Sequence, residues 1–254
     1  CYGGMLRFES GPERIESGWW DGRDVARDYY VVVTREGVRL WIYRELGTAV
    51  RGDDTVNLFS SRGPTRGARD LVGGGVAVDN LLKPDLVAPG NRLIAAGATS
   101  ASMQWNAMAA QHPALLDGLG SFQLQNRTLM LMSGTSVSAP VVAGAAAVLL
   151  QANPGLTPPL LKAILQYSAQ PIAGAPLVDQ GAGLLNLEGA VRLARALRTD
   201  IAGRVFAGTI GVGQTLNATA LPAPSSTIEG QTFGWSRIAF VGGRQIASGS
   251  ELFQ

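Results

Sequence analysis

The pattern of apolar and polar positions changes character twice along the chain, and each stretch predicts a different kind of element. In the first, Asp28-Tyr29-Tyr30-Val31-Val32-Val33 and Val38-Arg39-Leu40-Trp41-Ile42-Tyr43 are β-branched and aromatic runs separated by Thr34-Arg35-Glu36-Gly37, which predicts a β-hairpin. An isolated hairpin is marginal in water, so this one needs a partner. From about Gly47 to Asp200, short apolar runs alternate with helical patterns, as in an α/β protein with a mostly parallel sheet. Leu86-Val87-Ala88 and Leu129-Met130-Leu131-Met132 read as buried strands. Val137 to Ala152 reads as a helix of small residues that stops at Asn153-Pro154-Gly155. Its apolar run, Val137 to Leu150, has 14 residues and is broken by Ser138, Pro140 and Gly144, which predicts a buried helix and no membrane span.

Thr157-Pro158-Pro159-Leu160 then opens a second helix, with a capping threonine, prolines in the first turn, and Leu161, Ile164 and Leu165 on its apolar face. A third helix follows Asn186, with Leu187, Val191, Ala194 and Leu197 on one side and Arg192, Arg195 and Arg198 toward solvent. After Asp200 the chain is rich in Gly, Ser, Thr and Pro, with short apolar stretches such as Ile238-Ala239-Phe240-Val241. That predicts a β-rich extension.

Charge sharpens the first boundary. Residues 1–46 hold 15 of the 40 charged side chains, whereas residues 101–190 hold five. We therefore divide the chain into a hairpin segment over 1–46, an α/β region over 47–200 and the start of a β-rich extension over 201–254. Hydrophobic residues at 46% and 33 glycines describe a globular chain with many turns, not a disordered one. A net charge of +2 gives neither the basic patch of a nucleic-acid binder nor an acidic tail. The one cysteine, Cys1, can form no internal disulfide and joins no thiolate metal set. The chain opens with Cys and without a basic-then-apolar leader, so both ends read as cut.

Candidate chemistry concentrates in Ser133-Gly134-Thr135-Ser136-Val137-Ser138-Ala139-Pro140. An apolar strand, a glycine turn and a helix of small residues would hold a serine hydroxyl beside unsatisfied backbone N–H groups, at the positive end of a helix dipole. Those groups can stabilise an oxyanion on an attacked carbonyl. A serine or threonine at a helix start is more often a plain cap, the reading given to Ser138 and Thr157.

At Ser136 the whole string resembles the G-T-S-x-[SA]-x-P serine motif of subtilisin-like peptidases, the S8 family. Asn57-Leu58-Phe59-Ser60-Ser61-Arg62-Gly63-Pro64 with Leu82-Lys83-Pro84-Asp85-Leu86-Val87-Ala88-Pro89-Gly90 is similar to the segment before the serine in the pyrolysin and plant-like branch. Gln180-Gly181-Ala182-Gly183-Leu184-Leu185-Asn186 resembles the run that opens the last helix of the domain. The resemblance spans about residues 47–200 and implies the C-terminal half of a parallel α/β sandwich. It further implies a serine endopeptidase that cuts protein or peptide substrates through an acyl-enzyme on Ser136. Gly134 is then the motif glycine, and Thr135 and Ser136 supply backbone positioning at the oxyanion. The family implies secretion or a cell-envelope location and no cofactor, although calcium is compatible with it. No nucleic-acid partner is expected of this region.

Departures from the family pattern matter as much. The family order is Asp, His, Ser, and the first two would lie upstream, where this chain has no matching motif. The only histidine, His112, lies in Ala109-Ala110-Gln111-His112-Pro113-Ala114 and reads as a solvated loop residue. No Gly-Asn turn supplies the side-chain oxyanion donor, and Asn57 does not fit that role. Asp85 reads as structural, capping a turn or pairing with Arg62, and Asp53 and Asp54 read as turn residues. Asn126-Arg127-Thr128 and Asn217-Ala218-Thr219 fit the glycosylation pattern and are treated as ordinary. The chain is therefore expected to be inactive alone.

Residues 3–45 carry a different likeness. Gly11-Pro12-Glu13-Arg14-Ile15-Glu16-Ser17-Gly18-Trp19-Trp20-Asp21-Gly22, Arg27-Asp28-Tyr29-Tyr30 and Arg39-Leu40-Trp41-Ile42-Tyr43-Arg44 resemble the C-terminal segment of ImuB-type proteins, inactive relatives of Y-family DNA polymerases. Such a junction implies a chimera of two reading frames, the alternative being a private hairpin that replaced part of the peptidase. The rival to a peptidase is a non-catalytic interaction module, either a pseudopeptidase scaffold or a DNA-repair accessory segment.

Overall fold

A computed structural model of the chain describes residues 7–17, 25–33, 39–45, 54–96, 111–112, 129–211, 213–228 and 230–253, the first three stretches by backbone alone. The chain divides into two compact units, Cys1–Val50 with Arg92–Met132 and Arg51–Asn91 with Ser133–Gln254.

In the first unit, β1 (Arg7–Ser17), β2 (Val25–Val33) and β3 (Arg39–Glu45) form an antiparallel sheet in the order β1-β2-β3. The expected hairpin is β2 with β3, with Val33 opposite Arg39 and Tyr29 opposite Tyr43. Its partner is β1, which pairs with β2 through register shifts on either side of Ser10, around Gly11 and Pro12. Proline has no N–H for a ladder, which suits it to the irregular stretch of an edge strand. The same unit holds the antiparallel pair β6 (Leu93–Ala96) and β7 (Leu129–Met132), which follow β4 (Ala68–Asp70) and β5 (Val76–Val78) of the second unit in chain order. Asp53, Asn126 and the 34–37 turn lie outside the described residues.

The second unit opens with β4 (Ala68–Asp70) and β5 (Val76–Val78), a short antiparallel pair. Its helices are α1 (Thr135–Ala152), α2 (Pro158–Ser168), α3 (Leu177–Gln180), α4 (Leu187–Ala196) and α5 (Ile201–Phe206). The antiparallel pairs β8 (Ser225–Ile228) with β9 (Gln231–Gly234) and β10 (Ile238–Val241) with β11 (Gln245–Ser248) follow. A 3₁₀ turn, Ser250–Phe253, completes it.

The buried face of α4 is Ala190, Leu193, Ala194 and the following Leu197, spaced three and four apart as a helix requires. That corrects the expected stripe at one point, because Leu187 in the first turn is exposed. These residues pack with Leu149, Leu160, Ile164, Leu165 and Tyr167, and with Trp235 and Phe253 from beyond residue 200. Tyr167 meets the Trp235 and Phe253 rings edge-on, at centroid distances of 6.2 and 5.1 Å. Arg192 was expected in solvent, yet its guanidinium lies 5.5 Å from the Trp235 ring centre and donates to the Ser225 carbonyl at 2.9 Å.

Two buried amides complete this core. Asn153, at the end of α1, donates to the carbonyls of Ala194, Leu197 and Arg198 and accepts from the Gly155 N–H. Asn186 caps α4 by accepting from the Gly189 N–H and donates to the Ser168 carbonyl and to Ser226 Oγ. Ser226 Oγ also accepts from the Trp235 indole at 2.9 Å and donates to Glu188 at 2.5 Å. Every polar atom in this buried chain has a partner, which removes the cost of leaving it dry and unpaired.

The expected mostly parallel sheet is not what the described residues form: every ladder of two or more pairs is antiparallel. Parallel pairing occurs as a single bridge, Val87 with Leu184, so Leu86-Val87-Ala88 is half-buried extended backbone instead of a buried strand. The preference of these residues for extended backbone is local, whereas pairing depends on what the chain brings alongside, and here the Gly183–Leu185 backbone meets Val87 at one position. Of Leu129–Met132, Met130 is buried and Met132 is exposed.

The helix after the serine also departs from expectation. It runs over 18 residues, Thr135–Ala152, beginning two residues before the expected start at Val137 and ending at the expected Ala152. Only Ala145 and Leu149 are buried in it, so it is not the enclosed helix anticipated. By length and composition it could cross a membrane, which for a lone apolar helix is weak support for a span.

Candidate active site

The serine motif is built from the backbone outward. Gly134 is the N-cap of α1, with φ at 150°, a conformation that side chains disfavour. Its carbonyl accepts from both the Val137 and Ser138 N–H groups, at 3.0 and 3.3 Å. The N–H groups of Thr135 and Ser136 are therefore the first-turn donors without an acceptor inside the helix. No acidic side chain stands in that turn to neutralise the dipole. Pro140 lies four residues beyond Ser136 and has no N–H to offer its carbonyl, so that carbonyl lacks its usual helical donor. Thr135 and Ser136 are both exposed, as a nucleophile must be to reach a substrate.

Ser138, read from the sequence as a cap, does something else. Its hydroxyl donates to the Ala88 carbonyl at 3.0 Å, while the Gly134 N–H donates to the Gly90 carbonyl at 2.7 Å. The serine turn is thus laid along the Leu86–Gly90 backbone by one side-chain and one main-chain bond. Thr157 likewise occupies its N-cap position without a side-chain cap bond.

The other motifs meet the same segment. Val87 donates to the Gly183 carbonyl and accepts from the Leu185 N–H, at 2.9 and 2.8 Å, and Ala182 donates to the Asp85 carbonyl at 3.0 Å. Gly63 donates to the Val178 carbonyl at 2.8 Å, and Arg62 pairs with Asp179 at 3.4 Å. The serine turn and the Ala182–Leu185 run, far apart in sequence, thus both bond to residues 85–90.

Asp85 does not pair with Arg62, which corrects the expectation above. Its carboxylate takes Lys83 Nζ at 2.5 Å, Lys162 Nζ at 2.8 Å and Gln166 Nε2 at 3.2 Å. Arg62 is drawn instead to Asp179 on α3, carried there by the Gly63–Val178 bond. Burial pushes the Asp85 carboxyl upward, but the hydrogen bonds and charges of Lys162 and Lys83 outweigh it and hold it below the ordinary carboxylate range. The buried Gln166 accepts from the Phe240 N–H at 3.0 Å with its other end and so ties this segment to β10. Neither Lys162 nor Gln166 stood out in the sequence; the helical spacing of 162 and 166 was the available signal.

No described side chain hydrogen-bonds to Ser136. His112 is exposed and belongs to the first unit. Among the described residues no group of His, Cys, Asp and Glu is arranged to hold a metal ion.

An exposed serine on the first turn of a small-residue helix, with open backbone donors beside it, is a nucleophile's setting in hydrolases that work through an acyl-enzyme. Residues 48–191 match the model of the subtilase family, peptidase S8, and the chain belongs to that family. It is 33% identical over 144 residues to serine protease AprX of Bacillus subtilis (strain 168), a match covering 57% of this chain and 27% of AprX. It is 30% identical over 149 residues to subtilisin-like protease SBT2.4 of Arabidopsis thaliana, covering 56% of this chain and 15% of that protein. With subtilisin-like protease SBT1.7 of the same plant the identity is 33% over 142 residues, covering 54% and 16%. The chain thus matches about a quarter or less of each of these relatives. No solved structure gives a significant match.

Proposed function

We propose that this chain carries the nucleophile-bearing part of a serine endopeptidase, with Ser136 as the attacking residue and a protein or peptide as substrate. The observation that carries this reading is the placement of Ser136: exposed, at the open-donor end of α1, and on a turn bonded to Ala88 and Gly90. Ser136 Oγ attacks the carbonyl carbon and gives its proton to a base. The Thr135 and Ser136 N–H groups face the developing oxyanion. The C–N bond then breaks, the amine leaves with the proton, and water hydrolyses the ester on Ser136.

The base is the missing part. The chain's single histidine is the exposed His112, outside any motif that would make it one. We therefore expect no turnover by this chain alone, since loss of the catalytic His in subtilisin costs about 10⁶ in kcat. A pseudopeptidase scaffold is the second reading, favoured by the absence of any described partner for the Ser136 hydroxyl. The likeness to subtilases supports a secreted or cell-envelope location. Residues 3–45 lie outside the family match, and the motif run around Trp19-Trp20 supports their separate ImuB-type reading.

The test joins the Asp-, His- and oxyanion-Asn-bearing part of a subtilase relative upstream of Gly47. A fluorophosphonate is expected to label the joined protein at Ser136 alone, with Ser136→Ala unlabelled and His112→Ala labelled like the parent. An adduct on Ser133 or Ser138 would sink the assignment.

A further inference from the structure

Ser138 has a task that neither its sequence position nor the nucleophile reading assigns. Its side chain leaves the first turn of α1 and donates across to the Ala88 carbonyl at 3.0 Å, fifty residues earlier in the chain. Gly90, which is buried, makes room for it: a β-carbon there would collide with Ser138 Oγ and crowd the Gly134 carbonyl. The Gly134 N–H bond to the Gly90 carbonyl, at 2.7 Å, is the second fastening of the same turn. Ser136 lies between the two fastened residues and makes no side-chain bond of its own among the described residues. The backbone on either side fixes where its Cβ stands and so the arc its hydroxyl can sweep.

We propose that Ser138 is a positioning residue for Ser136, its hydroxyl bonded to the Ala88 carbonyl in the space that Gly90 leaves open. The inference rests on Ser136 being the nucleophile. Ser138 touches no reacting atom; it limits the swing of the first turn, so that Ser136 Oγ and the open N–H groups of Thr135 and Ser136 keep a fixed relation. A hydroxyl held within a fraction of an ångström meets a carbonyl or phosphorus far more often than one that drifts by an ångström, a displacement that costs up to about a hundredfold in rate.

The chain itself can report this if a base is added in solution. With imidazole at high concentration and a fluorophosphonate probe, Ser136 Oγ bonds to phosphorus, fluoride leaves, and the serine proton passes to an imidazole nitrogen. The rate of adduct formation on Ser136, followed by mass spectrometry, is the readout. Ser138→Ala is expected to slow labelling about tenfold at an unchanged melting temperature, well within the loss that misplacement produces. Ser138→Thr keeps the hydroxyl and is expected to restore most of the rate. Gly90→Ala is expected to slow the parent further than it slows the Ser138→Ala variant, because the collision with Oγ is gone there. Equal rates for the parent and Ser138→Ala overturn the proposal. So does a slowing matched by a fall of several degrees in melting temperature, or a failure of Thr to rescue. A parent that imidazole does not make reactive overturns the nucleophile reading itself, and the proposal with it.

Discussion

The helical core around α2 and α4 and the serine turn at the head of α1 belong to one unit and are held by opposite means. In the core, Leu149, Ile164, Leu193, Leu197 and Phe253 are almost wholly buried, and the polar groups among them, Asn153, Asn186 and Ser226, are enclosed with their partners. At the serine turn, Thr135 and Ser136 are exposed, and the fastening is a few hydrogen bonds to the Leu86–Gly90 backbone. Burial is non-directional and favours bulk. A hydrogen bond fixes an atom's place while contributing about 1 kcal/mol net. The first region therefore holds the stability, and the second the geometry. A reactive serine has to stay in contact with solvent and substrate, so apolar packing cannot be what positions it.

The comparison breaks first if the core is not where the stability lies. Phe253→Ala removes a fully buried ring from against Tyr167 and is expected to destabilise the chain by about 3–5 kcal/mol in urea denaturation. A loss below about 1 kcal/mol would mean that the residues beyond 200 only decorate the core.

A smaller effect is expected where the two regions meet, at Asp85. Its carboxylate is lowered in the folded state, so the stability it contributes is present above the ordinary aspartate range and is lost as pH falls through the lowered folded value. Urea midpoints measured from neutral pH into the acid should decline there. Asp85→Asn should lose about 1–3 kcal/mol at neutral pH, by leaving Lys83 and Lys162 without their carboxylate, and should flatten that decline. An unchanged acid slope in the variant would show that other carboxylates set it.

The smallest change should follow Ser136→Ala. The side chain is exposed and unbonded among the described residues, so the urea midpoint should stay within about 0.5 kcal/mol of the parent. A clear shift would make Ser136 part of the framework and erase the contrast between the regions.

Local pattern was enough to determine the elements that depend on neighbours in the chain. The hairpin of β2 and β3, the stop of α1 at Asn153, the proline-opened start of α2 and the cap of α4 at Asn186 all rest on residues within a few positions of each other. The serine motif and the two runs that accompany it are likewise short strings, legible because a turn or a helix start needs particular residues at fixed spacing. What those strings do to one another was decided by the tertiary structure. That Ser138 reaches Ala88 instead of capping, that Asp85 takes Lys162 and Gln166 instead of Arg62, and that Gln166 ties the segment to β10 are contacts across roughly fifty to eighty residues. Sequence spacing carries no information about such pairs, because the free energy of a hydrogen bond or an ion pair depends on distance in space and on burial. The same reason separates the expected parallel sheet from the antiparallel ladders: a residue's preference for extended backbone is local, but the choice of neighbouring strand is made by whatever the rest of the chain brings alongside.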